Sequence, residues 1–527
     1  MATALPFPGV QLQEIPAGVR AIVGLSTSVT AFLGRALRGP ANQAVRCLSY
    51  DDFARKFGGL WAASPMSYAV YHYFLNGGAE SLIVRLAPGA SAATVNLPTN
   101  GGSPANLVLA AASSGLWGRN LRVTITDPAP GAVAAADAPF VFNLAVREVD
   151  PAAPDDPSRD LRSERFLNVS VDPASARSQE RVLAQQSQLL RVQTTSNRRP
   201  NAAADRLLIG GSDGNALAAT DYDNPADSTF RSRRAGLYAL DIIDTVNLLC
   251  LPPPARNTDL FASTWTAAAA YCESRYTLLL VDPPSTWTTP ALAAARTGLT
   301  SLTSDRAAIY YPLLVMPDPL ADDRLASFAP CGAVAGTMAR TDGDIGVWKA
   351  PAGQEAGLRG VQGFAATLAD PDTPMTLTDT QIGTLNPAGI NALRVLGAAG
   401  PVVWGARTAR GADELASEWK YVPVRRLAMH IAQSLQEGTR WAVFEANDED
   451  LWSQLRLSIG GFMQQLFRRG AFKGLQPRDA YFVKCDRETT TSADQDRGIV
   501  NVVVGFAPLK PAEFVILQFQ QITRSAA

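Results

Sequence analysis

The chain has two histidines, His72 and His430, so acid–base chemistry near neutral pH has few groups to use. Both fall in helix-like segments outside 235–400, the stretch whose pattern reads as an α/β layer. A Ser-His-Asp hydrolase centred on that layer therefore lacks its base. The carboxylates at its edges are Asp241, Asp244, Asp282 and Asp305, where an acid could hold a metal or move a proton. Capping of loops is the favoured use, because Asp is the ordinary residue of strand-to-helix turns. His430 shares a helical face with Leu427, Ile431 and Ser434, which favours a hydrogen-bonded core or interface histidine. His72 reads the same way. No GxGxxG, Walker-type lysine loop or HExxH motif occurs. No catalytic, cofactor-binding or metal-binding residue is assigned, and no cofactor is expected.

The remaining chemistry is that of surfaces. Residues 336–353, GTMARTDGDIGVWKAPAG, read as a contact segment: Asp342, Gly343 and Asp344 suit a turn, Ile345, Val347 and Trp348 alternate after it, and Arg340 and Lys349 flank it. A basic set, Arg425, Arg426, Arg440, Arg456, Arg468, Arg469 and Lys473, is interleaved with Glu445, Asp448, Glu449 and Asp450. It is either a solvated face or a surface complementary to an acidic partner. Hydrophobic residues make up 47% and charged residues only 18% of the 527. That is ample for several cores but sparse for the surface of a monomer, as extensive subunit contact would require. The formal net charge of -1 gives no reason to expect a nucleic-acid or anionic-membrane partner. Five scattered cysteines, with no CxxC pair, read as buried apolar residues made in a reducing compartment. The first residues lack a signal peptide and no stretch has the apolar length of a membrane span, so synthesis in the cytoplasm is expected.

The elements that would position these groups fall into six segments. Residues 1–20 form an extended arm with alternating Val10, Leu12 and Ile15. Residues 21–87 begin a compact unit with strands at 21–25 and 31–33. A helix capped by Ser49 and stopped at Gly58 follows, then one capped by Ser64 with Pro65 in its first turn and Tyr68, Tyr71 and Leu75 on one face, then a strand over 81–86. Residues 88–234, rich in Ala, Pro, Ser, Gly and Asn, read as an inserted mainly-β domain with strands at 121–126 and 140–146. Residues 235–400 alternate helix-like segments with runs at 245–251, 276–281 and 307–314. Residues 401–510 make an α+β part whose best helix, capped by Asn447 or Asp448, carries Leu451, Trp452, Leu455, Ile459, Phe462, Met463 and Leu466 on one stripe. Strands at 480–485 and 499–506 follow, and 511–527 end in an apolar-alternating strand with Phe514, Ile516 and Phe519.

Several ordered strings together resemble one family. ARTDGDIGVWKAPAG, WGART from Trp404, YVPVRRL from Tyr421, GTRWAVFEAND from Gly438, YFVKCDRETTT from Tyr481 and PAEFVILQFQQ from Pro511 look like the sheath protein of contractile tails. GVQLQEIPAG from Gly9, NGGAESLIVR from Asn76 and VNLLCLP from Val246 match the same pattern, leaving about 88–234 unmatched. The resemblance implies a subtilisin-like α/β middle domain without a catalytic triad, and terminal arms that donate strands to neighbouring subunits. It also implies a helical homopolymer of stacked rings, hexameric in the family, around an inner tube protein with baseplate and terminal cap proteins. No protease activity follows. On that reading Val10, Leu12, Ile15, Phe514, Ile516 and Phe519 exchange strands, while Arg456, Arg468, Arg469 and Lys473 face the tube or a neighbour. The competing expectations are a static capsid-like shell and a hydrolase on the α/β layer.

Overall fold

The computed structural model describes residues 20–129, 134 and 137–514. It divides into two compact units, Ser28–Asp344 with Ala350–Val422, and Pro423 onward with Ile345–Lys349 and the residues up to Thr27.

The larger unit is built on an eight-stranded sheet. Its six central strands run parallel in the order Ile390–Leu396, Ala307–Tyr311, Leu278–Val281, Leu248–Cys250, Thr30–Gly34 and Ser81–Arg85, and Gly400–Trp404 and Val45–Cys47 close the two sides antiparallel. A parallel sheet is covered on both faces, so its strands lack polar alternation. Five of the six central strands are buried along their whole length. The helices Tyr50–Phe57 and Pro65–Leu75 start and stop where the sequence places them, with the hydroxyls of Ser49 and Ser64 accepting from Asp52 N–H and Ser67 N–H. In the second helix Tyr71 and Leu75 are only half-buried; the tightly buried positions are Met66, Tyr68, Ala69, Val70, His72 and Tyr73.

Three readings need correction here. Residues 342–344 are not a turn: they end the helix Cys331–Asp344, and Asp342 is buried. Two glycines of this helix serve a close helix contact. A Cβ at Gly332 would lie 2.1 Å from the Ala69 carbonyl oxygen, and one at Gly336 would lie 2.3 Å from that of Tyr73. Arg340 is not surface charge either, since it donates to the carbonyls of Asn76 (2.7 Å) and Gly357 (2.6 Å). The single run at 307–314 is two strands in different sheets, Ala307–Tyr311 and Leu313–Asp318, separated by Pro312, which has no N–H to continue a ladder.

The chain between Arg85 and Leu248 carries two four-stranded antiparallel sheets over one shared core that includes Leu97, Leu109, Leu121, Phe142, Leu144 and Val169. Leu121–Thr126 is a strand as expected, and the next runs Val141–Glu148; both alternate buried with half-buried positions. This region is bonded to the rest of its unit through buried guanidiniums. Arg38 Nη1 donates to both carboxylate oxygens of Glu148 (2.8 and 2.9 Å), and Arg85 donates to Ala36, Gly39 and Ser114 carbonyls.

In the smaller unit the long helix Glu449–Arg468 begins at Asp448, whose Oδ1 accepts from Leu451 N–H (3.0 Å), while Asn447 accepts from the Trp452 indole (2.9 Å). All seven stripe residues are buried. Residues 21–25 are extended but pair with no strand. The segment and the residues just after it bond side chains of the helix Val422–Gly438 instead: Leu25 N–H donates to Ser434 Oγ (3.2 Å) and Arg426 donates to Thr27 carbonyl (2.9 Å). The unit's sheet is a pair, Tyr481–Lys484 with Val503–Phe506. The second strand starts later than 499 because Ile499 N–H bonds Asp494 carbonyl and Asn501 N–H bonds Thr490 Oγ1, while Val500 and Val502 pack against apolar clusters.

Candidate assembly interface

The groups with catalytic potential are used structurally. Asp282 ends a central strand, is buried, and accepts from the N–H of Cys331 (2.8 Å), the first residue of the helix packed on Pro65–Leu75. It thus caps a helix at long range, and burial pushes its carboxyl up to about 7. Asp241 accepts from the Tyr271 hydroxyl (2.9 Å). Burial drives His72 down to about 3 and His430 down to about 4, so both are neutral imidazoles at working pH. They are core residues as expected, but the Nδ1 of each has no hydrogen-bond partner among the described residues.

One place does gather the residue types of a triad. A cavity of about 160 Å³ is lined by Tyr68, His72, Arg256, Ser327 and Phe328. Beside it Asp318 accepts from the Tyr68 hydroxyl (2.9 Å) and pairs with Arg256 (2.5 Å). Asp318 is therefore engaged away from His72, and Ser327 Oγ and His72 Nδ1 are both without partners, so no Ser-His-Asp relay is wired. A GxSxG string at 210–214, missed in the sequence, also fails the geometric test. Ser212 ends the edge strand Ile209–Ser212 and accepts from Gly214 N–H (3.1 Å), with no strand-turn-helix elbow around it. Among the described residues no three His, Cys, Asp or Glu groups could hold a metal, and no helix is long and apolar enough to cross a membrane. All five cysteines are buried and free.

The surface groups divide differently. Of the basic set, Arg456 is engaged within its own unit with Glu449 (2.7 Å), Ser453 and the Cys485 carbonyl, Arg440 pairs with Glu437 (2.9 Å), and Arg426 is buried. Arg468, Arg469 and Lys473 are exposed at the carboxyl end of the long helix and in the loop after it, and Arg469 stacks over Trp348 at 5.1 Å. The helix carboxyl terminus favours such cations. The two-stranded sheet leaves the outer edge of each strand unpaired among the described residues and exposes Phe482 by 56%. Of the strand-exchange candidates only Phe514 lies in the described residues, and it is exposed; Val10, Leu12, Ile15, Ile516 and Phe519 lie outside them. Phe444, in the string GTRWAVFEAND, is fully exposed with φ 72°, a feature that propensity and periodicity gave no means to foresee.

The described residues thus hold closed cores, exposed charge and open strand edges. Residues 232–409 match the model of the phage tail sheath protein central domain, and 414–522 match that of the phage tail sheath C-terminal domain. The chain belongs to the phage tail sheath family. It is similar to the tail sheath protein of Vibrio phage KVP40, with 25% identity over 189 residues, 36% of this chain and 26% of that protein; the match thus spans about a quarter of that relative's length. The fold is shared with the helical sheath of the anti-feeding prophage in its contracted state, at a TM-score of 0.56 and 21% identity over 98% of this chain and 100% of that one. It is shared equally with a sheath tail protein of Listeria innocua, at a TM-score of 0.60 and 13% identity over 92% and 96%.

Proposed function

We propose that this chain is the structural subunit of a contractile sheath: it polymerises helically around an inner tube and contracts from a metastable extended state to drive the tube through a target envelope. The observation that carries the reading is the two-stranded sheet of the smaller unit, whose open edges and exposed Phe482 are an association surface in need of strands. The terminal arms, 1–20 and 511–527, supply them from neighbouring copies, with Val10, Leu12 and Ile15 on one arm and Phe514, Ile516 and Phe519 on the other. Stacked hexameric rings are the repeating unit, and tube, baseplate and terminal cap proteins are the partners. Arg468, Arg469 and Lys473 face the tube or a neighbouring subunit, with Arg456 as a buttress. Residues 88–234 form an inserted domain on a subtilisin-like middle domain that has no catalytic role.

The mechanical logic is thermodynamic. Contacts that repeat without closing generate a helix, and contraction needs a second packing that buries more surface. Donated strands keep subunits linked while outer contacts change. Electron microscopy of the purified protein, with and without residues 1–19, tests this. Hollow striated cylinders from the full chain and folded monomers from the truncated one are expected. A truncated chain that still forms cylinders contradicts strand donation, and a single invariant lattice, with or without a tube, favours a static shell.

A further inference from the structure

Phe444 presents its whole side chain to solvent from a backbone with φ 72°, a conformation that bulky residues rarely adopt. Its neighbour Glu445 is exposed, and its carboxylate has no ion pair among the described residues. An exposed aromatic ring and an exposed carboxylate thus sit on adjacent residues of one turn. The cavity beside Asp318 offers the complementary set. Its volume of about 160 Å³ is close to that of an apolar cavity known to take one benzene ring, about 150 Å³. Its walls include Tyr68, Phe328, Leu368 and Pro371. At its rim lies Arg256, whose side chain is 36% exposed and stacks 4.7 Å over Tyr68 and 5.5 Å over Phe328. Arg256 gives Asp318 a single N–H, from Nη2, which leaves Nε and Nη1 for another carboxylate.

We propose that the Phe444–Glu445 knob of one copy enters this cavity on a second copy, the phenyl ring between the aromatic and proline walls and the Glu445 carboxylate on Arg256. The proposal rests on the polymer reading above, and deepens it by naming a contact between subunits. Size and charge match. Knob and cavity are different surfaces, so the contact is heterologous: each copy offers one of each, and repetition builds a ring or an open helix. The exposed strained Phe444 is stabilised by burial only when a neighbour is present.

The test compares full-length wild type, Phe444→Ala and Ala255→Trp, which fills the cavity mouth, in tube assembly followed by sedimentation and microscopy. Each variant is expected to fold with an unchanged monomer Tm and to raise the critical concentration about tenfold or more. A Glu445→Cys/Asn257→Cys double variant, oxidised in assembled tubes, is expected to give a ladder of covalent oligomers. Wild-type tubes with both single variants assembling normally and no ladder overturn the knob alone; a cavity reserved for a small molecule gives that result. A cross-link confined within single chains also overturns it. A wild type that forms no tubes, even with tube and baseplate proteins to nucleate them, removes the polymer reading and this contact with it.

Discussion

The largest and the smallest sheet of this molecule solve the same hydrogen-bonding problem in different ways. The eight-stranded sheet pairs six parallel strands internally, shields each side with an antiparallel strand and buries both faces. The pair Tyr481–Lys484 and Val503–Phe506 does neither: it keeps two outer edges and an exposed Phe482. The larger sheet pairs both sides of each of its six parallel strands within one chain. On the function proposed above, the smaller one is completed by strands added from neighbouring copies, and this is why we locate strand exchange there and not in the large sheet. A protein that must hold shape while its neighbours slide needs both kinds of region, a rigid body and a connector.

The comparison can be broken first on the rigid side. Gly336→Val places a branched side chain where even a Cβ would sit 2.3 Å from the Tyr73 carbonyl oxygen. A cost of about 3 kcal/mol or more is expected from this overpacking, read as a lower denaturation midpoint of the isolated monomer. An unchanged midpoint means the two helices are not held at the distance we describe.

The second effect is pH-dependent and also belongs to the larger unit. The Asp282 carboxyl is raised by burial to about 7, so the folded state binds its proton more tightly than the unfolded chain. Its stabilising contribution is complete below the unfolded value near 4 and is lost as pH rises through about 7. His72, lowered by burial to about 3, acts oppositely: its contribution is present above about 6.5 and is lost as pH falls. Between these limits the two trends partly cancel. Asp282→Asn removes one of them, so the variant should gain on the order of 2 kcal/mol over wild type at pH 8, and the gain should shrink towards pH 4. Chemical denaturation at several pH values measures it; a difference independent of pH contradicts a buried acid.

Much of this organisation is legible in the sequence where local rules decide. Ser49, Ser64 and Asp448 announce helix starts through their side-chain acceptors, and the stripe from Leu451 to Leu466 announces a buried face. What fails is what depends on partners distant in sequence. The close contact made by Gly332 and Gly336 goes unseen because the Pro65–Leu75 helix they approach is more than two hundred residues away. Residues 21–25 have strand-like alternation but lie along a helix, which only the bonds to Ser434 and Arg426 disclose. The assembly surface is half legible. Charge could be counted, yet which cations are engaged internally, such as Arg456, is a matter of tertiary geometry, and so is the exposure of Phe444.

The smallest effect on the folded subunit sharpens the connector side. Arg468→Glu with Arg469→Glu changes exposed groups, so the monomer should shift by less than about 1 kcal/mol. Assembly of the extended form on tubes should nonetheless weaken, and more so at low salt. Sedimentation with tubes separates the two readouts; unaltered extended assembly contradicts the assignment of these arginines to a tube or neighbour contact.

The central claim, that the small sheet is completed between subunits, is tested most directly by amide hydrogen exchange at 481–484 and 503–506 in monomers and in assembled cylinders. The account predicts that the outward-facing amides of both strands exchange quickly in the monomer and become strongly protected on assembly, while those of 278–281 and 307–311 in the large sheet are protected in both states. Equal protection of the small sheet in monomer and cylinder would contradict it.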